Sequence, residues 1–394
     1  MSSFAIWYKR KVSAEKEDDD KGPSENNGNP VEIDIHINLW ESNICHKGSS
    51  SVYFDFGLMV YDIHNIESIY LYSPFEIQVA DVKDLGGCIL ENQVLVGAIF
   101  NENYRMCSGE PRRLLVQEYT SNSNTASSVK KNGRNDENKG DFEGTQKNES
   151  FIIYCLDIDN DIKVKHIEDG GYKGTRLELY IKDILDGKYS SNIRGVNKYY
   201  FRLRIKVSQS KLQLIFQRPK PLSPFQSAFI TTQVIDFRLN DLRSCTPLVR
   251  DEFAKGDHFS IQRVHYLLLR KTTDVFIHQG GEVSSRLLEK DLWKSYISGL
   301  ESSIVAYHFK EKVSDSLSSK KECINDYSKL TRFEFECINW KRIFSYIYIV
   351  LGFGMLSSLL AAFVQSKSDL EVWAYITFII ISIVILIHYL LREV

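Results

Sequence analysis

The sequence predicts a β-rich (α+β) cytoplasmic body, built as an antiparallel sandwich or as barrel-like sheets, followed by a C-terminal two-helix transmembrane hairpin. Tyr and Phe are abundant, 21 and 22 of 394 residues. Many of them lie in runs that alternate apolar and polar residues between Pro and Gly punctuation, the signature of strands with one buried face. The hairpin rests on composition. Ile343 to Val364 and Val372 to Leu391 contain no Asp, Glu, Lys or Arg, and each approaches the ~20 residues that a helix needs to cross a ~30 Å hydrocarbon layer.

In chain order, Ser3 to Val12 reads as a short strand and Ser13 to Pro30 as an acidic, Gly- and Asn-rich loop. Val31 to Ile37 alternates cleanly, with Val31, Ile33, Ile35 and Ile37 on one face. Ser51 to Tyr61 and Ile66 to Ser73 are further strands, the second ending at Pro74. Leu85-Gly86-Gly87 breaks the next stretch before a short helix over Gln93 to Phe100. Residues 120–150 are Ser, Asn, Lys, Gly, Asp and Glu with few bulky apolar side chains, so they bury too little surface to offset the entropy of ordering. They are expected to form a disordered insertion in a hairpin loop, because a strand, Phe151 to Ile158, follows at once.

Arg176 to Leu185 fits either a strand or a helix. Strands are expected at Lys198 to Val207, Leu212 to Gln217, Ala228 to Leu239 and Phe259 to Phe276. Ser284 to Leu300 spaces Leu288, Leu292 and Tyr296 four apart, which predicts an amphipathic helix. Ser303 to Val313 reads as the last strand, and 314–342 as a partly helical neck with Phe333, Phe335 and Trp340 at the lipid headgroups. The division is 1–119 and 151–313 for the sensor body in one or two domains, 120–150 for the insertion, 314–342 for the neck, and 343–364, 365–371 and 372–391 for helix, external loop and helix.

Lys341, Arg342 and Arg392 flank the apolar runs, whereas the link carries Lys367 with Asp369 and Glu371. The positive-inside rule then puts both termini in the cytoplasm. Met1 to Val12 has no signal-peptide apolar core. In the first run Gly354, Ser358 and Ala362 recur every four residues, a small-residue stripe that packs helix on helix, within the hairpin or between subunits. A net charge of −2 excludes a general nucleic-acid binder, so any anion site is local. Seven cysteines without a C-x-x-C pair fit reduced thiols and disfavour zinc.

Phosphate-loop, dinucleotide, zinc-protease and nucleophile-elbow motifs are all missing. His258 and His265 with Asp257 read as surface or core residues, and Asp157, Asp159 and Asp161 as a solvated turn. No catalytic residue, metal site or cofactor is expected, and the chain is read as a non-enzyme. One basic constellation stands out. The period of two puts Arg202, Arg204 and Lys206 on one strand face, where either acidic neighbours such as Asp236 and Asp241 or a phosphate-bearing ligand would answer them. Arg238 and Arg243 lie on an adjacent segment of the expected sheet, as do Arg218, Lys220, Arg263 and Arg270, and Tyr199, Tyr200 and Phe237 are placed to stack a base.

In plan, through the two apolar runs and the motif-free strand-rich body, the chain resembles the two-transmembrane membrane effectors of bacterial antiviral (anti-phage, nucleotide-signalled) defence systems. The resemblance implies an inner-membrane, homo-oligomeric protein whose hairpins form a pore or disrupt the lipid bilayer. A nucleotide or oligonucleotide from a partner signalling enzyme would control it. The alternative is a membrane-tethered, non-conducting scaffold or adaptor that recruits a soluble partner.

Overall fold

The computed structural model describes residues 2–11, 29–41, 51–100, 102, 104–118, 150–186, 196–219, 230–277, 282–297, 303–313, 322–336, 340–365, 372–374 and 376–382. The first strands are β1 (Ala5–Arg10), β2 (Glu32–Glu41), β3 (Ser51–Val60), β4 (Ile66–Ser73) and β5 (Val82–Asp84). Helices α1 (Gly86–Glu91) and α2 (Val94–Phe100) precede β6 (Tyr104–Glu110), β7 (Arg113–Glu118) and β8 (Ser150–Tyr154). Then come α3 (Ile158–Asp161), β9 (Ile162–Asp169), β10 (Tyr172–Tyr180), α4 (Ile181–Asp186) and β11 (Tyr199–Ser208). β12 (Phe216–Gln217), β13 (Ile230–Leu239), α5 (Pro247–Lys255), β14 (Ser260–Lys271) and β15 (Val275–Ile277) follow. The described chain closes with β16 (Ser284–Leu287), α6 (Lys290–Trp293), β17 (Ile304–Lys312), β18 (Tyr327–Glu336), α7 (Trp340–Gln365) and two shorter helical pieces.

The strands form three sheets. A ten-stranded sheet runs β16-β17-β14-β2-β3-β11-β8-β7-β6, with β5 also on β11, and two four-stranded sheets run β1-β4-β10-β9 and β12-β13-β18-β15. The large sheet is mixed, because β2 lies parallel to β14 and β11 parallel to β8. β7 and β8 pair antiparallel across the insertion, Gln117 opposite Ser150; residues 119–149 lie outside the described chain.

Period-two alternation positions the core. Ile33, Ile35, Ile37 and Leu39 of β2, Phe54, Phe56 and Leu58 of β3, and Phe201, Leu203 and Ile205 of β11 enter one apolar core. The same core takes Phe4 and Ile6 from the β1 side and Ile235 and Phe237 from β13, so all three sheets share it. The opposite face of the large sheet is polar along its middle. Trp40, Leu95, Trp293, Tyr296 and Ile297 cover one end of it, and Ile89, Val96, Phe151 and Ile153 the other.

Several expectations need correction. Ser284 to Leu300 is not one helix: β16 pairs with the β17 edge, Leu287 opposite Val305, and only a four-residue helix follows. The open edge of β17 supplies backbone partners that override the helical spacing. The described part of the neck is dominated by β18, which pairs along its length with β13, while 314–321 and 337–339 lie outside the described residues. Phe333 and Phe335 are 0% and 4% exposed and belong to the interior, away from any headgroup. The ambiguous 176–185 stretch is both things in turn, β10 to Tyr180 and α4 from Ile181.

The transmembrane hairpin is also corrected. Among the described residues no helix is long and apolar enough to cross a membrane. Of the second run only 372–374 and 376–382 are described as helix, and 366–371 and 383–394 lie outside. The multi-pass inner-membrane placement with both termini cytoplasmic is overturned on that finding. Within α7 the covered side is formed by large residues, Ile343, Tyr346, Ile349, Leu356 and Leu359. Gly354 and Ser358 of the small-residue stripe are exposed and Ala362 is half-buried, and a Cβ added to Gly354 would meet no atom within 4 Å.

Candidate functional site

The β11 cations organise the polar face. Strand register sets Arg204 opposite Asp55 and Arg202 opposite Gly57 on β3. Arg204 grips Asp55 with both arms of its fork, Nε to Oδ1 at 2.6 Å and Nη2 to Oδ2 at 2.9 Å. Tyr296, just after α6, donates its hydroxyl to Asp55 Oδ2 at 2.9 Å, and Trp40 donates its indole N–H to the same oxygen at 2.6 Å. Arg202 donates to the hydroxyls of Tyr296 and Tyr200, each at 2.5 Å. With its amide turned so that the oxygen faces the guanidinium, Asn38 accepts from Arg202 Nη2 at 2.7 Å. Every member of this network is buried, Asp55 completely.

Electrostatics follow from the pairing. Burial opposes the charge on Arg202 and Arg204, but the neighbouring oxygens of Asp55, Tyr200 and Tyr296 more than offset it and raise both pKa values. Burial drives the Tyr296 phenol well up, so it stays protonated and serves as a donor. Gly57 makes room for this arrangement: a Cβ there would lie 2.1 Å from the Tyr200 hydroxyl.

From Tyr200 the polar line continues across three more strands. Its hydroxyl accepts from Arg202, so its own proton is free for His36 Nδ1 at 3.3 Å. The His36 ring meets His265 edge-on at 4.9 Å, and His265 Nδ1 lies 3.0 Å from His308 Nε2. These histidines stand on β2, β14 and β17, His36 directly opposite His265. Burial lowers all three pKa values, that of His265 to about 4, and nearby charges of Arg202, Arg263, Lys310 and Arg286 push the same way. The imidazoles are therefore neutral near pH 7. Phe100 of α2 covers His36, whereas His265 and His308 are half-buried at the rim.

Other sequence-derived candidates fall elsewhere. Arg238 and Arg243 belong to the β13 sheet region, where Arg238 pairs with Asp236 at 2.6 Å and with Asp241 at 3.0 Å, and Arg243 reaches Asp241 at 3.2 Å. Asp236 and Asp241 thus answer Arg238; the acidic partner of the β11 row is Asp55. Lys206 is exposed at the end of that row. Tyr199, Tyr200 and Phe237 are buried, and their rings pack against Phe201, against Phe100 and His36, and against Phe4 and Tyr266 respectively, leaving no open face for a base. His258 stacks on Phe253 at 4.3 Å and stands apart from the histidine row. Asp157 caps α3, while Asp161 is buried and paired with Arg112. Lys220 lies outside the described residues, among which no group of three or more His, Cys, Asp or Glu could hold a metal ion.

Sequence reasoning missed Asp55, Tyr296, His36 and His308. The charge of Asp55 inside the apolar run Phe54-Asp55-Phe56 was the available signal, since a carboxylate in a strand centre needs a cation. Neither a known protein family nor a curated protein matches the sequence.

Proposed function

We propose that this is a two-part binding protein: a β-rich body that senses a ligand, and a C-terminal apolar helix through which copies of the chain associate. The observation that carries the reading is α7. It begins four residues after β18 ends, and Phe344, Ile347, Val350, Leu351, Phe353, Met355 and Val364 are all more than 45% exposed on it. Ile343 to Val364 holds no charged residue, so a matching surface must be apolar, and another copy of the same helix offers one. The open space at Gly354 lets a second backbone approach. A pore or a lipid tether has no support from the helices described and is not part of this reading.

Sedimentation velocity of the full chain over a range of concentrations tests it. Concentration-dependent assembly is expected, and Leu351→Lys with Met355→Lys, both on the exposed side, should weaken it by at least tenfold while the body melts unchanged. A wild-type chain that stays monomeric throughout removes the reading.

A further inference from the structure

We infer that the open end of the histidine row is a binding site for a phosphate group, with His265 and His308 taking up protons as the anion enters. Four strands bring basic or polar side chains to one rim. β14 carries Arg263 and His265 at alternate positions, and β17 carries His308 and Lys310 likewise. β16 sets Ser284 opposite His308 and Arg286 opposite Ala306, and β2 sets His36 opposite His265. Cross-strand partners share a sheet face, so these groups converge. Arg286, Lys310 and Ser284 are exposed, and the Arg263 side chain is 46% exposed.

The charges facing the row are cationic from nearly every side: Arg263 from β14, Lys310 from β17, Arg286 from β16 and Arg202 from β11. Asp34 on β2 is the carboxylate here; it accepts from Tyr61 at 2.9 Å and stands 4.0 Å from Arg263, at the limit of an ion pair. Arg286 anchors one arm on the Ala98 carbonyl at 3.2 Å, which holds it beside α2. The network described above accounts for Arg202 and Arg204; among the described residues Asp34 reaches Arg263 alone, and no ion pair is shown for Lys310 or Arg286 of the rim. A tetrahedral oxyanion supplies several acceptors at once, suiting Arg forks and a hydrogen-bonded imidazole pair better than a single carboxylate does.

Protonation follows from the same geometry. An anion placed among the cations reverses the field at His265 and His308 and makes the imidazolium forms favourable. The complex then binds more protons than the free protein, so affinity rises as pH falls below the histidines' pKa values in the complex, and the gain reaches about tenfold per unit of pKa rise only below their values in the free protein. The line His308, His265, His36, Tyr200, Arg202, Tyr296 also connects the rim to the turn that follows α6. This inference rests on the reading of the body as the sensing part; the binding measurement makes no use of assembly, so either can fail alone.

Isothermal titration of the full chain at pH 6 and pH 8, in two buffers of different ionisation enthalpy, tests it with inorganic pyrophosphate, AMP and malonate as probes. Saturable binding of pyrophosphate or AMP, tighter at pH 6 and with net proton uptake, is the expected result, and the pair shows whether a free or a nucleoside-linked phosphate fits better. His308→Gln combined with Lys310→Gln should weaken binding at least tenfold, whereas Lys9→Gln, on a different sheet, should not change it. No saturable heat with either phosphate, equal binding of malonate, or unchanged affinity in a folded double variant overturns the site.

Discussion

Asp55 holds the charge balance of the buried network, because Arg204, Tyr296 and Trp40 all donate to it. Asp55→Ala leaves a buried guanidinium unanswered, and urea unfolding should show a loss of about 3–5 kcal/mol. Arg238→Ala, on a side chain 34% exposed, should cost about 1 kcal/mol or less. Gly57→Ala forces the Tyr200 hydroxyl away and should cost roughly 1–3 kcal/mol, again read from urea midpoints. The histidines add a pH dependence. Folding favours neutral His265, whose pKa is depressed to about 4 from about 6.5 unfolded. Its contribution is whole above about 6.5 and lost as pH falls through about 4, and His265→Gln should flatten unfolding midpoints across that window. The alternation in Arg202-Leu203-Arg204 made the shared face of the cations legible, but the carboxylate that Arg204 grips lies 149 positions away. Spacing along one strand cannot locate it. The three histidines are isolated in sequence for the same reason, since strand register alone unites them.

Elements were legible where one face is buried and the other is not. β2, β3, β4 and β11 read directly from alternation. β18 alternates too, with Tyr327, Thr331, Phe333 and Phe335 inward, yet its nearness to an apolar run suggested a neck. β16 carries no burial signal, all four residues being exposed, so only the free edge of β17 explains it. The β7–β8 hairpin yields a prediction at this scale. Replacing residues 119–149 with a four-residue turn shortens the closed loop about eightfold, and should raise stability by about 2 kcal/mol with the sheet unchanged. Thermal unfolding measures it, and a loss of stability instead would mean that the segment packs on the body. α7 was legible as an apolar helix. Its role was not, because hydrophobicity does not say what covers it.

Across the whole molecule, sheet order and chain order disagree. β2 lies between β3, its neighbour in sequence, and β14, which comes from the far side of the insertion. No sequence period encodes that parallel pairing; it follows from the shared core. β1 depends on distant chain in the same way, through bridges from Phe4 to Leu239 and from Tyr8 to Asp257. During synthesis this imposes a wait. About 220 residues separate the end of β2 from the start of β14, and at ~5–20 residues per second the ribosome takes roughly 10–45 s to make them. Until then the first strands emerge with an unpartnered edge and an apolar face in water, which makes the nascent chain a client for chaperones. Ribosome-bound chains halted at residue 255 should be degraded rapidly by added protease, and chains extended past residue 340 should resist it.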